Sequence, residues 1–369
     1  MIERCAPGKL FVAGEYTVTE PGTEALLVAV DRFVSVTATA GCGADRTVTV
    51  ESDIDGGTAA CFVSGYGGQL VAADPRPADD MGPVRVALGV VQQLVHEMRL
   101  ATPPLELRIT SELHRAGVKF GLGSSAAVMV AVIDAASAYY GLQLSRPDRF
   151  RLGLLASARL NPRSSGGDIA ASTWGGWLAY RAPDRTALLE EYTRRGVLHM
   201  LAADCPGLSV QPLPSPSGVA VEVGWSGTPA SSNSAISRLD SARAGSVDQW
   251  HDLVGRHHDI VRDCVDAIEN GDRIALFAGV ERSGELLRTL DTLLRTSVFT
   301  PRLSSLCEIA DALGGVAKPS GAGGGDCGIA LFDADTGPDT AELHARWKAA
   351  GIEPLALRIA VHPEGDEGR

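Results

Sequence analysis

Lysine is scarce in this 369-residue chain, and several features that mark other classes of protein are also missing. Aromatic residues make up only 5% of the chain, and no apolar run approaches the roughly 20 residues that a membrane-spanning helix needs. The first ten residues lack the apolar stretch of a secretory signal. The seven cysteines include no Cys-x-x-Cys pair. These absences predict a cytoplasmic protein with reduced thiols.

The charge balance is acidic, with 33 basic and 45 acidic side chains and a formal net charge of −12. No basic tract interrupts this excess, which argues against a nucleic-acid partner. At about 100–200 residues per domain, the length predicts two domains. A stretch rich in Pro, Ser and Gly at 204–218 is the candidate boundary, so we divide the chain into domains 1–205 and 206–369.

The order of predicted elements indicates an α+β fold in both domains. In the first domain, β-rich segments within the first forty residues precede helical patterns at 84–98, 126–140 and 147–159. The second domain begins with a strand and a long helical tract around 233–296. Its complete order is strand, helices, two strands, helix, strand, which is typical of a ferredoxin-like unit.

Only four of the 33 basic residues are lysines, and the other 29 are arginines. Lys9, Lys119 and Lys318 lie in or beside glycine-rich segments, whereas Lys348 lies in an ordinary helical stretch. A lysine ammonium is a compact point charge, and the planar fork of arginine is not equivalent to it at a tight phosphate site. We expect a functional reason for Lys9 and Lys119. For Lys318, a functional and an incidental role both stay open.

The segment GLGSSAA at 121–127 lies between a predicted strand and an apolar helix. Its glycines allow a tight turn that leaves N–H groups free for an anion, and the helix N-terminus behind them favours phosphate. Ser124 and Ser125 add hydroxyls for a phosphate oxygen or Mg²⁺. Two alternatives stay open, a turn with a serine N-cap and a dinucleotide fingerprint. The P-loop string GxxxxGK[ST] is absent, so phosphoryl transfer here requires a different cradle.

Two further segments combine glycines with a chemically active side chain. SSGGDIAAS places Asp168 behind two glycines, where it is either a functional carboxylate or a helix cap. KPSGAGGGDCG at 318–328 has more backbone freedom than a turn requires. This freedom indicates a loop shaped around a ligand or around the 121–127 loop. Cys327 lies in that loop without a histidine near it in sequence, and we expect it to be a small buried residue.

One histidine-rich stretch has spacings that metal ligands also use. It contains His251, His257, His258 and Asp259. Because the stretch is polar and no matching cluster accompanies it, we expect these residues on an exposed helix face.

The three glycine segments, in this order, resemble the GHMP kinase superfamily. APGKLFVAGEYTV is similar to its first motif, GLGSSAAV to its nucleotide-phosphate loop and KPSGAGGGDCGIAL to its third motif. Within the superfamily, GWSGTPASS at 224–232 and SGAGGGDCGIAL at 320–331 look most like the bacterial phosphomevalonate kinase family. Mevalonate kinases carry a Mg²⁺-binding Glu eleven residues before the catalytic aspartate, and this chain has Ser157 there.

The resemblance implies an α+β fold, with an N-terminal α/β kinase domain and a ferredoxin-like C-terminal domain. It implies ATP and Mg²⁺ as cofactors, ATP and (R)-5-phosphomevalonate as small-molecule partners, no nucleic-acid or membrane partner, and a monomer or homodimer. The implied catalytic residues are Lys9 and Asp168. The implied ATP-phosphate residues are Lys119, Gly121, Leu122, Gly123, Ser124, Ser125 and Ala126, with Ser125 also a Mg²⁺ ligand. The implied substrate-binding residues are Lys9, Glu15, Tyr16, Ser165, Gly166, Asp168, Gly321, Ala322 and Gly323.

Two rival functions stay open at this point. The first is a related GHMP enzyme, mevalonate kinase or diphosphomevalonate decarboxylase. The second is a catalytically silent ligand sensor on the same fold. The presence of Lys9, Ser125 and Asp168 together favours an active kinase over the sensor.

Overall fold

The computed structural model describes residues 1–54, 57–73, 81–230, 247–294 and 297–361. The strands are β1 (Ile2–Ala13), β2 (Glu24–Ala40), β3 (Thr47–Ser52), β4 (Thr58–Ser64), β5 (Leu70–Ala72), β6 (Leu105–Ser111), β7 (His114–Arg115), β8 (Val118–Lys119), β9 (Trp177–Arg181), β10 (Ser209–Leu213), β11 (Val219–Trp225), β12 (Val316–Pro319), β13 (Cys327–Asp333) and β14 (Glu353–Leu355). The helices are α1 (Gly82–Glu97), α2 (Ser124–Tyr139), α3 (Arg146–Leu160), α4 (Gly167–Trp174), α5 (Arg185–Arg195), α6 (Val197–Ala202), α7 (Val247–Glu269), α8 (Arg273–Leu294), α9 (Pro301–Ala312) and α10 (Thr340–Ala349).

An eight-stranded sheet organises the first domain. Its strands follow the order β10-β9-β2-β6-β3-β4-β5, and β1 pairs antiparallel with the long strand β2. Helix α2 is almost entirely apolar from Ala126 to Ala136 and packs against β1 and β2. A helix that is hydrophobic on all sides is stable only when it is buried. The sheet and its other helices therefore enclose α2, and the N-terminus of α2 lies next to β1.

The second domain has the topology of a ferredoxin-like unit. Its four-stranded sheet follows the order β12-β13-β11-β14, and every pair in it is antiparallel. Counted along the chain, this is the spatial order 2-3-1-4 that β-α-β-β-α-β units adopt. The helical tract expected around 233–296 contains α7 and α8, separated at 270–272. Residues 231–246 of that tract lie outside the described residues.

The two sheets divide the chain after Leu213, because β10 is an edge strand of the first sheet. Residues 358–360 also return to the first domain. The N–H of Asp31 donates to the Arg358 carbonyl at 2.9 Å, and the N–H of Ala360 donates to the Ala29 carbonyl at 3.0 Å. The sheets therefore differ from the expected domains 1–205 and 206–369 at these two segments.

The helices expected at 84–98, 126–140 and 147–159 are confirmed as α1, α2 and α3. All seven cysteines are free thiols. In the part of the chain that the structure describes, no helix combines the length and the hydrophobicity needed to cross a membrane. Helices α5 and α6 were not expected. Helix α5 has a polar sequence, and its buried residues are Arg185 and Leu188.

Candidate active site

The 121–127 loop leaves the N-terminus of α2 open. Gly121 and Gly123 have φ values of +83° and +78°, in the left-handed region that favours glycine. Gly123 is the N-cap, and no side chain caps the helix, so the serine N-cap alternative is wrong. The N–H of Ala126 already donates to the Gly123 carbonyl at 3.1 Å. The first N–H groups of the helix, at Ser124 and Ser125, have no acceptor within it, and such groups bind anions.

The dinucleotide alternative is also wrong. A dinucleotide fingerprint follows the first strand of a parallel βαβ unit. Here the loop follows the short antiparallel hairpin of β7 and β8, after six strands of the main sheet.

Lys9 joins this loop to the third glycine segment. Its side chain is 7% exposed, and its backbone N–H donates to the Leu122 carbonyl at 2.9 Å. A Cβ atom on Gly123 would lie 3.0 Å from Lys9 Cε, and a Cβ atom on Gly321 would lie 4.0 Å from Lys9 Nζ. The ammonium therefore lies where the two glycine loops meet. Among the described residues Lys9 forms no ion pair, so its charge is available to a bound anion.

The third glycine segment is fastened to the first domain by side-chain hydrogen bonds. Ser320 Oγ accepts from the N–H of Phe11 at 2.8 Å and donates to the Phe11 carbonyl at 3.0 Å. Tyr16 Oη donates to the carbonyl of Ala322. Gly323 is buried, and a Cβ atom there would lie 2.5 Å from Val298 Cγ1. Packing against Val298 therefore favours glycine at position 323.

Asp168 lies in the first turn of α4, and it is not the cap of that helix. The N-cap is Gly166, with a φ of +83°. Helix α4 is attached to β1 by Ser172 Oγ, which donates to the Pro7 carbonyl at 2.8 Å. Asp168 is one turn earlier on the same face, so it faces the strand that carries Lys9. Its half-buried carboxylate accepts from the N–H of Ile169 at 3.1 Å.

Ser165 and Gly166 form the turn that positions α4. Tyr180 Oη donates to the Ser165 carbonyl at 2.7 Å, and a Cβ atom on Gly166 would lie 2.8 Å from the same Tyr180 oxygen. Burial raises the pKa of Tyr180, which keeps its hydroxyl a donor. Gly166 is therefore required by packing, while the Ser165 side chain stays partly exposed.

Glu15, which the resemblance implied as a substrate-binding residue, forms a buried ion pair. Its carboxylate is 1% exposed and pairs with the ammonium of Lys318, which is 0% exposed and also donates to the Pro319 carbonyl at 3.0 Å. The other carboxylate oxygen, Oε2, is buried and has no hydrogen-bond partner among the described residues. Glu15 and Lys318 therefore form a structural ion pair between the two domains, and Lys318 needs no other explanation.

The expectation that His257 is exposed is wrong. The imidazole is 1% exposed, and its Nδ1 lies 3.0 Å from Thr17 Oγ1. Burial lowers the pKa of His257 to about 3, and the nearby charge of Lys318 adds to the effect. Within the described residues, no group of three or more His, Cys, Asp or Glu side chains is arranged to hold a metal ion.

Cys327 is the small buried residue that we expected. It is 0% exposed, and its Sγ donates to the Phe120 carbonyl at 3.1 Å. Burial raises the pKa of this thiol, which makes it a poor nucleophile.

Asp326 is a site residue that nothing in the sequence marks. A Cβ atom on Gly121 would lie 2.2 Å from Asp326 Cγ, so the two loops touch at this point. The N–H of Ala230 donates to Asp326 Oδ1 at 2.9 Å. Burial raises the pKa of the carboxyl, opposed by that N–H group and by the charges of Lys9 and Lys119. A carboxylate thus lies beside the loop that we expected to bind phosphate.

A cavity adjoins the other side of the 121–127 loop. Its polar lining residues are Ser52, His114, Lys119, Ser124 and Ser125. Its apolar lining residues are Ile54, Met81, Pro83, Val84 and Val128. The cavity therefore combines apolar surface with groups that suit an anion.

Two protein-family models match the chain. The model for the GHMP kinases N terminal domain matches residues 85–176, and the model for GHMP kinases C terminal matches residues 264–351. The chain is 47% identical to a phosphomevalonate kinase of Streptomyces sp. (strain CL190), over 98% of this chain and 97% of that protein. It is 28% identical to a mevalonate kinase of Aeropyrum pernix, over 89% of this chain and 87% of that protein.

Among solved structures, the fold is similar to Streptococcus pneumoniae phosphomevalonate kinase in complex with phosphomevalonate and AMPPNP. The TM-score is 0.81 at 28% sequence identity, and the match covers 98% of this chain and 100% of that chain. The likeness therefore extends over both domains and the loops between them.

Proposed function

The chain belongs to the phosphomevalonate kinase family of the GHMP kinases, and from that membership we propose that it converts ATP and (R)-5-phosphomevalonate to ADP and (R)-5-diphosphomevalonate. The observation that carries the proposal is the meeting of the Lys9 ammonium with glycine loops from both domains. The 47% identical relative supports the choice of acceptor. Free cysteines favour a reducing compartment, and we place the reaction in the cytoplasm.

The nucleotide occupies the 121–127 loop and the cavity beside it. Its phosphates accept from the open N–H groups of Ser124 and Ser125, and Lys119 contributes a cation from the rim of the cavity. The cavity has a volume of about 80 Å³, far below that of pockets that enclose a whole ligand, so only part of the nucleotide occupies it. The molecule as a whole carries a charge of −12, so these local cations must offset its repulsion of ATP.

In the transfer step, an oxygen of the acceptor phosphate forms a bond to the γ-phosphorus of ATP. The bond between that phosphorus and the β–γ bridging oxygen breaks, and ADP leaves with the electron pair. Charge develops on the transferred group, and Lys9 stabilises it from the junction of the two loops. A phosphomonoester has its second pKa near 6, so at neutral pH the attacking oxygen is already mostly deprotonated.

This acceptor chemistry gives Asp168 a positioning role. Since the attacking oxygen carries no proton to remove, a general base contributes little. Asp168 instead orients the groups around the acceptor from the first turn of α4, next to the strand that carries Lys9.

The side chains present fit Mg²⁺ bound mainly through the nucleotide. Mg²⁺ usually keeps several waters and takes one or two protein ligands together with phosphate oxygens. The Ser125 hydroxyl lies at the phosphate loop, and Asp168 supplies a half-buried carboxylate. Mevalonate kinases carry a glutamate at the position of Ser157. Here the Oγ atoms of Ser157 and Ser164 lie 2.8 Å apart and form a hydrogen bond. When bound, the ion neutralises charge on the β- and γ-phosphates.

A coupled assay for ADP release tests the proposal. The protein is supplied with ATP-Mg²⁺ and, in parallel reactions, with phosphomevalonate, mevalonate or diphosphomevalonate. We expect ADP release with phosphomevalonate in large excess over the other two. Turnover with mevalonate or diphosphomevalonate instead would support the related enzymes, and calorimetric binding of ATP without any turnover would support a ligand sensor.

A further inference from the structure

Asp326 is joined to the 226–230 loop by three hydrogen bonds. The N–H of Ser226 donates to the Asp326 carbonyl at 2.8 Å, and the N–H of Asp326 donates to the Thr228 carbonyl at 2.8 Å. These two bonds extend the pairing of β11 with β13 and need no side chain. The third bond, from the N–H of Ala230 to Asp326 Oδ1 at 2.9 Å, depends on the carboxylate.

The backbone of Asp326 adopts a conformation that glycine adopts most readily. Its φ is +56°, in the left-handed region, directly after the glycines at 323–325. Aspartate and asparagine enter that region more easily than other residues with a Cβ atom, though less easily than glycine. A fourth glycine would therefore suit the backbone at 326, so the presence of a side chain there is the feature to explain.

The Asp326 side chain contacts the phosphate loop. A Cβ atom added to Gly121 would lie 2.2 Å from Asp326 Cγ and 2.3 Å from Asp326 Cβ. The side chain thus occupies the space that a residue larger than glycine at 121 would need. Gly121 begins the turn whose N–H groups we assign to the nucleotide phosphates. Contact at its first residue determines how that turn is oriented.

We propose that Asp326 is a positioning residue of the phosphate site, which braces Gly121 from the second domain while Ala230 holds its carboxylate in place. The proposal rests on the proposed function, because it assigns nucleotide phosphates to the 121–127 loop. Asp326 itself does not touch the nucleotide. Its shape and its acceptor oxygen matter, whereas its negative charge does not help an anion to bind.

Three variants separate these contributions. Asp326→Gly removes the brace and places a glycine in a left-handed conformation that suits it, so we expect little change in the stability of the fold. Asp326→Asn keeps the shape and one oxygen that accepts from Ala230, and asparagine tolerates the left-handed region well. Asp335→Gly, in the exposed loop after the opposite end of β13, is the control for an aspartate changed to glycine. It removes only a solvent-exposed ion pair with Arg273, and such pairs contribute little to stability.

The measurements are calorimetric titration with ATP-Mg²⁺ and thermal unfolding. For Asp326→Gly we expect Kd to rise by at least about tenfold, with the unfolding temperature within about 3 °C of wild type. For Asp326→Asn we expect recovery of Kd to within about threefold of wild type, and for the control no change.

Each alternative outcome contradicts the brace. Wild-type affinity in Asp326→Gly would show that the contact with Gly121 is unimportant. Equal loss in Asp326→Asn and Asp326→Gly would assign the effect to charge. A loss of affinity that accompanies a large fall in unfolding temperature would mean a general structural role. Failure of the wild-type protein to bind ATP would overturn the proposed function and this proposal together, whereas the other outcomes leave the proposed function intact.

Discussion

Lys9 illustrates how single residues are matched to this site by shape as well as charge. A Cβ atom at Gly123 would lie 3.0 Å from two of its side-chain carbons, which is a tighter approach than most real contacts, so the space around the Lys9 side chain is narrow. Lys9→Arg keeps the charge and adds a wide planar group. We expect kcat to fall by at least about tenfold, or about 1.4 kcal/mol of barrier. Initial-rate kinetics measure this.

The control for Lys9→Arg is Lys348→Arg, because Lys348 is exposed on α10. That variant should keep the turnover of the wild type. Near-wild-type turnover in Lys9→Arg as well would show that the site requires only a positive charge.

Asp168 provides a second prediction at this scale, from the ionisation of the acceptor. Because positioning does not depend on whether the acceptor is ionised, Asp168→Asn should lower kcat by a similar factor at every pH. Wild-type kcat should rise with pH through the bound acceptor alone, near its second pKa of about 6. Steady-state assays at pH values on both sides of that pKa measure kcat for the wild type and for Asp168→Asn. A deficit that shrinks steadily toward high pH would instead identify Asp168 as a general base.

At the scale of elements, a glycine with a left-handed backbone lies at each end of α2. Substituting each in turn distinguishes the effect of backbone strain from the effect of contact with a neighbouring side chain. Gly123 has a φ of +78° and Gly141 a φ of +72°. An added Cβ atom meets Lys9 at 3.0 Å at position 123 and meets nothing within 4 Å at position 141. Alanine at either position costs about 1–2 kcal/mol of backbone strain.

Gly123→Ala should therefore weaken ATP binding, while Gly141→Ala should not. We expect similar losses of stability in both variants by thermal unfolding, and a rise in Kd for ATP-Mg²⁺ of at least about tenfold only in Gly123→Ala. Calorimetric titration distinguishes them. Equal affinities in the two variants would contradict the assignment of phosphates to this loop.

At the scale of the whole molecule, a buried ion pair connects the domains. Glu15 and Lys318 are enclosed on all sides, so removing either partner leaves an uncompensated charge in the interior. Glu15→Gln or Lys318→Met alone should cost about 3–5 kcal/mol of unfolding free energy, and the double variant should recover most of the loss. Urea denaturation of the wild type, both single variants and the double variant measures their unfolding free energies. Losses that simply add would show that the two groups are independent.

The acid stability of the molecule should depend on His257. Its pKa is lowered to about 3 in the folded chain, while an unfolded histidine has a pKa of about 6.5. Below about pH 6.5 the unfolded chain therefore binds a proton that the folded chain excludes, so stability falls as pH falls toward 3. The slope contributed by this residue is at most about 1.4 kcal/mol per pH unit.

His257→Asn removes that titration and retains a polar atom for Thr17. Urea denaturation between about pH 7.5 and about pH 5 should show the variant less stable at the higher pH. The difference in unfolding free energy between wild type and variant should decrease by about 2 kcal/mol on acidification. Stability curves that stay parallel would mean that His257 does not titrate on unfolding.

The sequence by itself determined the strongly periodic helices and the chemistry of the loops, because both depend on neighbouring residues. Apolar periodicity located α1, α2 and α3, and turn-forming glycines located the phosphate loop. The scarcity of lysine singled out Lys9, which the structure places between two glycine loops. These signals are local, since periodicity and turn chemistry act over a few residues.

Only the tertiary structure decided which loop residues face a ligand and which face each other. Glu15 and Lys318 are 303 positions apart, and Asp326 meets Gly121 across the domain junction. No pattern in the chain distinguishes Glu15 as a buried partner from Glu15 as a substrate ligand, because the same carboxylate serves both. Burial alone separates the two roles, and burial results from the packing of segments that are far apart in sequence.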